Sequence, residues 1–501
     1  MAETPKSKMM PEWRVSSYSA MYMPVSVALL PVGVYVQPHY AELGISLIAM
    51  AGIIFFARFS DVFTDPLIGV LSDKLKTPIG RRKPWIIAGT PLLLFSMYML
   101  FLPPENPTIW YFGLWVVMIY LAFTIIQLPY FAWGAELTTD YNDRTRVTGR
   151  REQFHYFGVV IATALPLVAG ALIYLNTSGN TLANLLSNVS GELGAVMAAR
   201  AGNPGPILEW LFIFVLAVLP VTVLIAVVFV REPDQVVIPR RKPSFLQSMK
   251  VIRRNGPFMR LIVCYTVSAI GGAMTGALSY FFVKHVINAG EWYSVYLLVY
   301  YMAAVLGLFF WMWLAKKIGK HRAFIALIIW YSIWASFIPF IPQGWFGVFL
   351  FIMINKGCTE GAMLALPAAM AADAVDIDSA RTGEQRAGLY FSVWGMLLKG
   401  GVAIGGAIAL FVVGIFGFDP MADPNLARTP DGNSSTALMT VALMYAIIPA
   451  AFKFIALPFI WNYPLTEERQ IRIRARLERR GVRVSATGDA SSATGDPSPA
   501  D

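Results

Sequence analysis

Long apolar runs recur along the whole chain, and they constrain its fold more than any other feature. A helix needs roughly 20 apolar residues to cross the hydrocarbon core of a bilayer. Only 14% of the 501 residues are charged, whereas soluble domains carry about 25%. The sequence therefore predicts an all-α, polytopic membrane protein with twelve transmembrane helices. The predicted spans are 17–37, 43–72, 84–102, 109–135, 153–175, 207–230, 258–287, 292–314, 323–341, 345–372, 387–416 and 436–462.

The distribution of basic residues predicts the orientation of these spans. Lysines and arginines concentrate in the turns after spans 2, 4 and 8 and in the segment after span 6, whereas the turns after spans 1, 3 and 9 contain none. Because basic loops stay in the cytoplasm, we expect both termini to be cytoplasmic in a cell inner (plasma) membrane protein. The net charge of +10 follows from these loops and does not indicate a nucleic-acid partner.

An internal repeat divides the chain into two six-helix halves. LPYFAWGAELTTDYNDRTR ends span 4 and LPAAMAADAVDIDSARTGEQR ends span 10, and a basic turn follows both span 2 and span 8. Two such halves are typical of the major facilitator architecture, which binds its solute between them. The predicted units are an amino-terminal bundle (1–230), a cytoplasmic central loop (231–257), a carboxy-terminal bundle (258–462) and a basic, then disordered cytoplasmic tail (463–501).

Two carboxylates inside span 2 indicate a cation site. Asp61 and Asp65 are four residues apart, so they share one face of a helix. Without a partner they would repel each other, so either one is protonated or a cation lies between them. We predict a Na⁺ or H⁺ site here, which Thr64 and, from span 4, Thr124 and Gln127 complete.

Basic residues inside the spans leave alternatives open, because charges at this depth are costly and mark function. Arg58 could instead neutralise a span 2 carboxylate in a structural salt-bridge network, and Lys399 of span 11 could reach the same carboxylates. Lys356 and Glu360 of span 10 either pair with each other, or Glu360 accepts a hydrogen bond from the solute. Two lysines nearer span ends are expected to extend to the membrane surface: Lys284 and Lys453.

The string RFSDVFTDPLIGVLSDKLKTPIGRRKPW resembles helix II of the glycoside–pentoside–hexuronide:cation symporter family. The matching positions are the family's R-x-x-D-x-x-x-D-P pattern at Arg58, Asp61, Asp65 and Pro66, its helix IV threonine at Thr124, and its helix XI Lys-Gly-Gly at Lys399, Gly400 and Gly401. The resemblance implies a major facilitator fold, alternating access and sugar–cation symport. The family's helix IV acid falls on Gln127 and its helix I acid falls near Pro24 or Val25. The solute therefore stays open between a glycoside, a sugar acid and a more amphipathic molecule.

Aromatic and charged residues complete the predicted sites. An aromatic face packs well on a sugar ring, although aromatic residues in membrane helices also serve packing and interface anchoring. The aromatic candidates are Tyr22, Phe131, Trp133, Tyr390 and Trp394. The predicted substrate-binding set is Arg58, Tyr22, Gln127, Phe131, Glu360, Trp394 and Lys399. We predict a set of gating charges that stabilise the outward-open state: Asp73, Arg81, Arg82, Asp376, Arg381 and Arg386. The alternative is that the arginines only set the topology.

These features predict a cation-coupled secondary transporter of a sugar or glycoside, acting as a monomer without a cofactor other than its Na⁺ or H⁺. The alternatives are an uncoupled carrier, or an H⁺-coupled carrier of a non-sugar or amphipathic solute. An enzyme is not expected, because the sequence has no nucleophile–base pair and no metal-ligand spacing.

Overall fold

The apolar runs form long helices in the computed structural model, which describes residues 10–75, 77–137, 141–178, 204–232, 252–382 and 387–465. The helices are α1 (Glu12–Ala20), α2 (Tyr22–Val34), α3 (Val36–Glu42), α4 (Leu47–Lys74), α5 (Lys83–Phe101), α6 (Ile109–Glu136), α7 (Tyr141–Ser178), α8 (Pro204–Phe229), α9 (Gly256–Phe281), α10 (Tyr293–Ile318), α11 (Lys320–Phe337), α12 (Phe346–Gly357), α13 (Glu360–Thr382), α14 (Ala387–Ile415), α15 (Ser435–Ala442) and α16 (Ile448–Trp461). One π-helical turn, Phe282–Val286, extends α9, and another, Leu443–Ile447, joins α15 to α16.

The predicted spans correspond to these helices. Within the described residues, eleven helical segments are long and apolar enough to cross a membrane, and each lies at a predicted span. The remaining predicted span, 153–175, lies inside α7 (Tyr141–Ser178). The prediction of an all-α, polytopic membrane fold is confirmed. The proposed boundaries at 230, 257 and 462 stay predictions, and the tail beyond 465 lies outside the described residues.

Some spans consist of more than one helix. The first span covers residues 12–42 and is interrupted at Met21 and Tyr35. Each interruption lies three residues before a proline, Pro24 or Pro38, which has no N–H for the preceding helical turn. The tenth span is interrupted between α12 and α13, a feature that the sequence pattern did not predict.

The two halves meet mainly along two helix pairs. Helix α4 packs against α14, and α7 packs against α10, so each pair joins one helix from each half. The internal repeat relates these pairs, because it superimposes span 2 on span 8 and span 5 on span 11. Within the second half, α14 also packs closely on α9, where a Cβ at Gly405 would meet the carbonyl oxygen of Ile270. The face of α4 that carries the paired carboxylates can therefore meet residues of the opposite half.

Candidate functional site

Helix α4 brings both predicted carboxylates to one place between α6 and α14. Asp61 is 3% exposed, and Asp65 is half-buried. Pro66 follows directly and has no N–H, so the carbonyl of Val62 loses its helical hydrogen bond. This turn of α4 therefore combines two carboxylates with a backbone oxygen that is free to bind another group.

Lys399 of α14 reaches these carboxylates from the opposite half. Its Nζ lies 2.5 Å from Oδ2 of Asp65 and 3.6 Å from Oδ2 of Asp61. Charge-assisted contacts of this kind are among the stronger polar interactions in proteins. The three groups carry a net charge of −1 when all are ionised, and they connect the two halves near the middle of their helices.

Neutral oxygens lie beside the carboxylates. The hydroxyl of Thr124 on α6 donates to Oδ1 of Asp65 at 3.2 Å. The hydroxyl of Thr64 is buried and has no hydrogen-bond partner among the described residues. Gln127 is half-buried, and no hydrogen bond joins it to either carboxylate in the described part of the chain. The structure therefore brings Thr124 to the predicted cation site directly, whereas Gln127 lies one turn further along α6.

Arg58 forms no direct ion pair with the carboxylates among the described residues, although its charge acts on Asp61. Its guanidinium stacks over the ring of Tyr120 on α6, with 3.9 Å between Cζ and the ring centroid. Among the described residues, it makes no ion pair with either Asp61 or Asp65. Lys399 is the ion-pair partner of both carboxylates, and Arg58 acts on Asp61 only through its charge at longer range.

The predicted aromatic residues separate into different environments. Tyr22 and Phe131 lie together, with ring centroids 5.4 Å apart, and His155 of α7 stacks on Tyr22 at 5.2 Å. Arg151 stacks over Phe131 at 4.4 Å. Trp133, by contrast, is fully buried within the amino-terminal half. Tyr22 and Phe131 therefore lie in one aromatic cluster of the amino-terminal half, and Trp133 is enclosed in its core.

In the other half, the predicted aromatic residues lie on α14. Trp394 stacks on Tyr265 of α9 with ring centroids 4.5 Å apart. Tyr390 is fully buried, and Asn255 donates to its hydroxyl at 3.4 Å. Trp394 keeps a small exposed fraction, so of these two it is the one that can face a solute.

A second group of charges lies inside the carboxy-terminal half. Lys356 ends α12 and is 0% exposed, and Lys453 of α16 is 3% exposed. The expectation that Lys453 extends to the membrane surface is therefore wrong, because its ammonium lies 4.3 Å from the centroid of the Tyr331 ring. Glu360 accepts a hydrogen bond from the Tyr300 hydroxyl at 3.0 Å. In the described residues Lys356 and Glu360 form no ion pair, so the proposed direct pairing is not present.

Another contact between the halves lies where α3 ends. Nζ of Lys284 donates to Oε1 of Glu42 at 2.6 Å, and the hydroxyl of Tyr280 donates to the same oxygen at 2.9 Å. Lys284 thus forms an inter-half ion pair at a span end, and the expectation that it extends to the membrane surface stays a prediction. We call Glu42, Tyr280 and Lys284 the terminal latch. The sequence reasoning missed it, because Glu42 is more than 200 residues from Tyr280 and Lys284 and all three lie at span ends.

The predicted gating charges are only partly described. The backbone N–H of Arg82 donates to both carboxylate oxygens of Glu232 at 3.1 Å, and Arg81 lies 3.7 Å from the same carboxylate. Glu232 follows α8 and was not among the predicted residues, although an acid next to a basic turn is a usable signal. Asp376 is buried. Three predicted gating side chains lie outside the described part of the chain: Asp73, Arg381 and Arg386.

Two six-helix halves with charged residues between them define a membrane transporter of the major facilitator type. The chain belongs to the family described as MFS/sugar transport protein, which matches residues 17–467. This agrees with the predicted resemblance to glycoside–pentoside–hexuronide:cation symporters, and family membership confirms that the protein is not an enzyme.

Individual relatives have low sequence identity but match most of the chain. A glucuronide carrier protein homolog of Escherichia coli K12 is 24% identical, covering 93% of this chain and 96% of its own length. The sodium-dependent lysophosphatidylcholine symporter 1-A of Danio rerio is 23% identical, covering 83% and 79%. A bacterial homolog of the human lysosomal transporter Spinster has a similar fold, with a TM-score of 0.61 at 16% identity over 91% of this chain and 100% of its own.

Proposed function

We propose that the protein couples the entry of Na⁺ or H⁺ to the uptake of a sugar or glycoside. The observation that carries this proposal is the contact of Lys399 with Asp65 and Asp61, which joins the two halves at an ionic site. The names of relatives as carriers and symporters of a glucuronide and of a glycoside with a cation support it. With the predicted orientation, the protein lies in the inner membrane with cytoplasmic termini and acts as a monomer.

The cation acts by competing with Lys399. An incoming Na⁺ or H⁺ takes the place of the ammonium on Asp65 and Asp61, with Thr124 and Thr64 as neutral oxygen ligands. Lys399 is then released from α4, and the contact between the halves changes. Because cation and solute act on the same rearrangement, each must alter the affinity of the other by the same factor.

A second candidate solute is an amphipathic lipid with one hydrocarbon chain. The amino-terminal side of the site is built from aromatic rings, including Tyr22 and Phe131, and the family's helix I acid is replaced by Pro24 or Val25. Relatives named as sodium-dependent lysophosphatidylcholine symporters and as a sphingosine-1-phosphate transporter also favour such a solute. In this case the hydrocarbon chain of the lipid would lie on the aromatic surface. A sugar ring would lie on the same surface if the solute were a glycoside.

The decisive experiment measures solute-driven cation movement in proteoliposomes that contain the full chain. Glycosides, glucuronides and lysophospholipids are added in turn, with a Na⁺-selective dye or a pH dye as the readout. We expect one class to move one cation, and we expect Asp61→Asn and Asp65→Asn to lose that signal. Asp431→Asn, in an exposed loop, is the matched control. Full cation-driven uptake by Asp65→Asn would refute the coupling site.

A further inference from the structure

The carboxy-terminal half contains two buried ammonium groups that the cation site does not use. Lys356 lies 4.9 Å from the ring centroids of Tyr331 and Tyr445, and Lys453 lies 4.3 Å from the Tyr331 ring. Both lysines therefore face the same tyrosine. Aromatic rings stabilise a cation, but they do not supply the opposite charge that two buried ammoniums require.

The available acceptors do not balance these charges. Nζ of Lys356 is buried and has no hydrogen-bond partner among the described residues. Glu360 is the carboxylate nearest in sequence, yet it makes no ion pair with either lysine within this part of the chain, and Tyr300 donates to it. When all three groups are ionised, the two ammoniums and the carboxylate of Glu360, which interacts electrostatically with both lysines, have a net charge of +1. A buried group with this excess charge is costly unless another anion joins it.

Lys356 and Glu360 lie on either side of the interruption of the tenth span. Helix α12 ends just after Lys356, and α13 begins at Glu360. A cation at a helix carboxyl end and an anion at a helix amino end both interact favourably with the helix dipoles. The break also brings α10 close, since a Cβ at Gly307 would meet the carbonyl of Cys358. Interrupted helices inside membrane transporters form binding sites for solutes and ions.

Glu360 is the member of this charged group that lies toward the amino-terminal half. Glu360 is only half-buried, and it interacts electrostatically with Tyr156 of α7 and with Tyr265. Helix α7 belongs to the amino-terminal half, so the Glu360 side of the group lies at the interface where a solute binds. An anion can approach the lysines from this side.

We propose that Lys356 and Lys453 bind an anionic group of the solute, a carboxylate or a phosphate, and that the solute is a monoanion. This inference rests on the proposed transport function and specifies its substrate class. The net charge of the lysine group is +1, and that of the Asp61, Asp65 and Lys399 group is −1. A monoanion and a monovalent cation therefore neutralise one group each.

The test compares pairs of probes in which one member carries an anionic group that the other lacks. Phenyl β-D-glucuronide and phenyl β-D-glucoside share one ring and differ in a carboxylate; lysophosphatidylglycerol and monoacylglycerol share one acyl chain and differ in a phosphodiester. Binding is measured by calorimetry on the purified full-length chain. We expect the anionic member of one pair to bind about tenfold more tightly or better, because charged hydrogen bonds discriminate by at least this factor. The pair that responds identifies the source of the anion.

Variants assign the preference to the two lysines. Lys356→Met and Lys453→Met should each reduce the ratio of anionic to neutral affinity toward one, whereas Lys356→Arg should retain a preference. Lys317→Met is the matched control, since that ammonium also lies 4.3 Å from a ring centroid, on Trp313, but at an exposed position. An unchanged ratio in both methionine variants, each unfolding at or above the native temperature, would overturn the inference.

The experiments distinguish failure of the anion site from failure of the proposed cation coupling. Charge discrimination that depends on the lysines, in a protein without cation-driven uptake, would keep the anion site and reject coupling. Cation-driven uptake of a neutral glucoside, unaffected by Lys356→Met and Lys453→Met, would keep coupling and reject the anion site.

Discussion

The terminal latch allows a quantitative prediction about conformational equilibrium. Glu42→Gln removes the negative charge that accepts from Lys284 at 2.6 Å and from Tyr280 at 2.9 Å. The carboxylate and ammonium side chains are 23% and 25% exposed. The pair is therefore worth more than an exposed ion pair, at roughly 0.2–1 kcal/mol, and less than a buried charged hydrogen bond, at roughly 1.5–3 kcal/mol.

An intermediate value of about 1–2 kcal/mol corresponds to a 5- to 30-fold change in an equilibrium constant. Because the latch joins the halves, its loss should shift the population by this factor toward the state that is open at the Glu42 end. With the predicted orientation, this is the outward-open state. Lys284 also loses its partner, which acts in the same direction.

The shift can be measured by electron spin resonance between spin labels at Cys substituted for Glu105 and Asp431, two exposed positions beyond α5 and before α15. The long-distance population should grow in Glu42→Gln. Glu291→Gln, an exposed acid near the same end, is the control and should leave the distribution unchanged. An unchanged distribution in Glu42→Gln would show that the latch does not hold the halves together.

Three further predictions follow from the two charged groups. Thr124→Val removes the donor to Asp65 at 3.2 Å, and the cation concentration for half-maximal uptake should rise about fivefold; an unchanged value would exclude Thr124 as a ligand. Lys356→Met removes an unpaired buried charge, so thermal unfolding without solute should occur at a higher temperature, with a gain of up to about 1–4 kcal/mol; a lower unfolding temperature would mean that the ammonium is already balanced. Uptake of a monoanionic solute with one Na⁺ or H⁺ should be electroneutral, so an imposed membrane potential should not change its rate in proteoliposomes; a potential-dependent rate would contradict the charge count.

The sequence was sufficient for residues whose role follows from local spacing. Asp61 and Asp65 share a face because they are four residues apart, and Lys399 was expected to reach them because it is an unusual charge inside an apolar span. Lys453 was misassigned because it lies near a span end in the sequence. In the structure α16 packs against α9 and α11, which encloses that lysine beside Tyr331. Burial of this kind depends on neighbours that are distant in sequence.

The break in the tenth span was unpredictable for a related reason. Proline marks the interruptions of the first span, because the missing N–H is a local property. No proline stands between Lys356 and Glu360, and the tenth span is interrupted where α10 approaches at Gly307. The terminal latch likewise depends on two spans meeting, which no local pattern in either span specifies.

The two charged groups together provide a physical basis for coupling. In the proposed mechanism, with every member ionised, the group of Asp61, Asp65 and Lys399 carries −1 and the group of Lys356, Lys453 and Glu360 carries +1, so these two groups sum to zero. Binding of the cation alone or of the anion alone leaves one uncompensated charge inside the membrane, where charges are costly. Binding of both restores neutrality in each group separately. Charge balance therefore favours rearrangement of the empty and the doubly loaded protein and opposes rearrangement of either singly loaded form, which is the condition that symport requires.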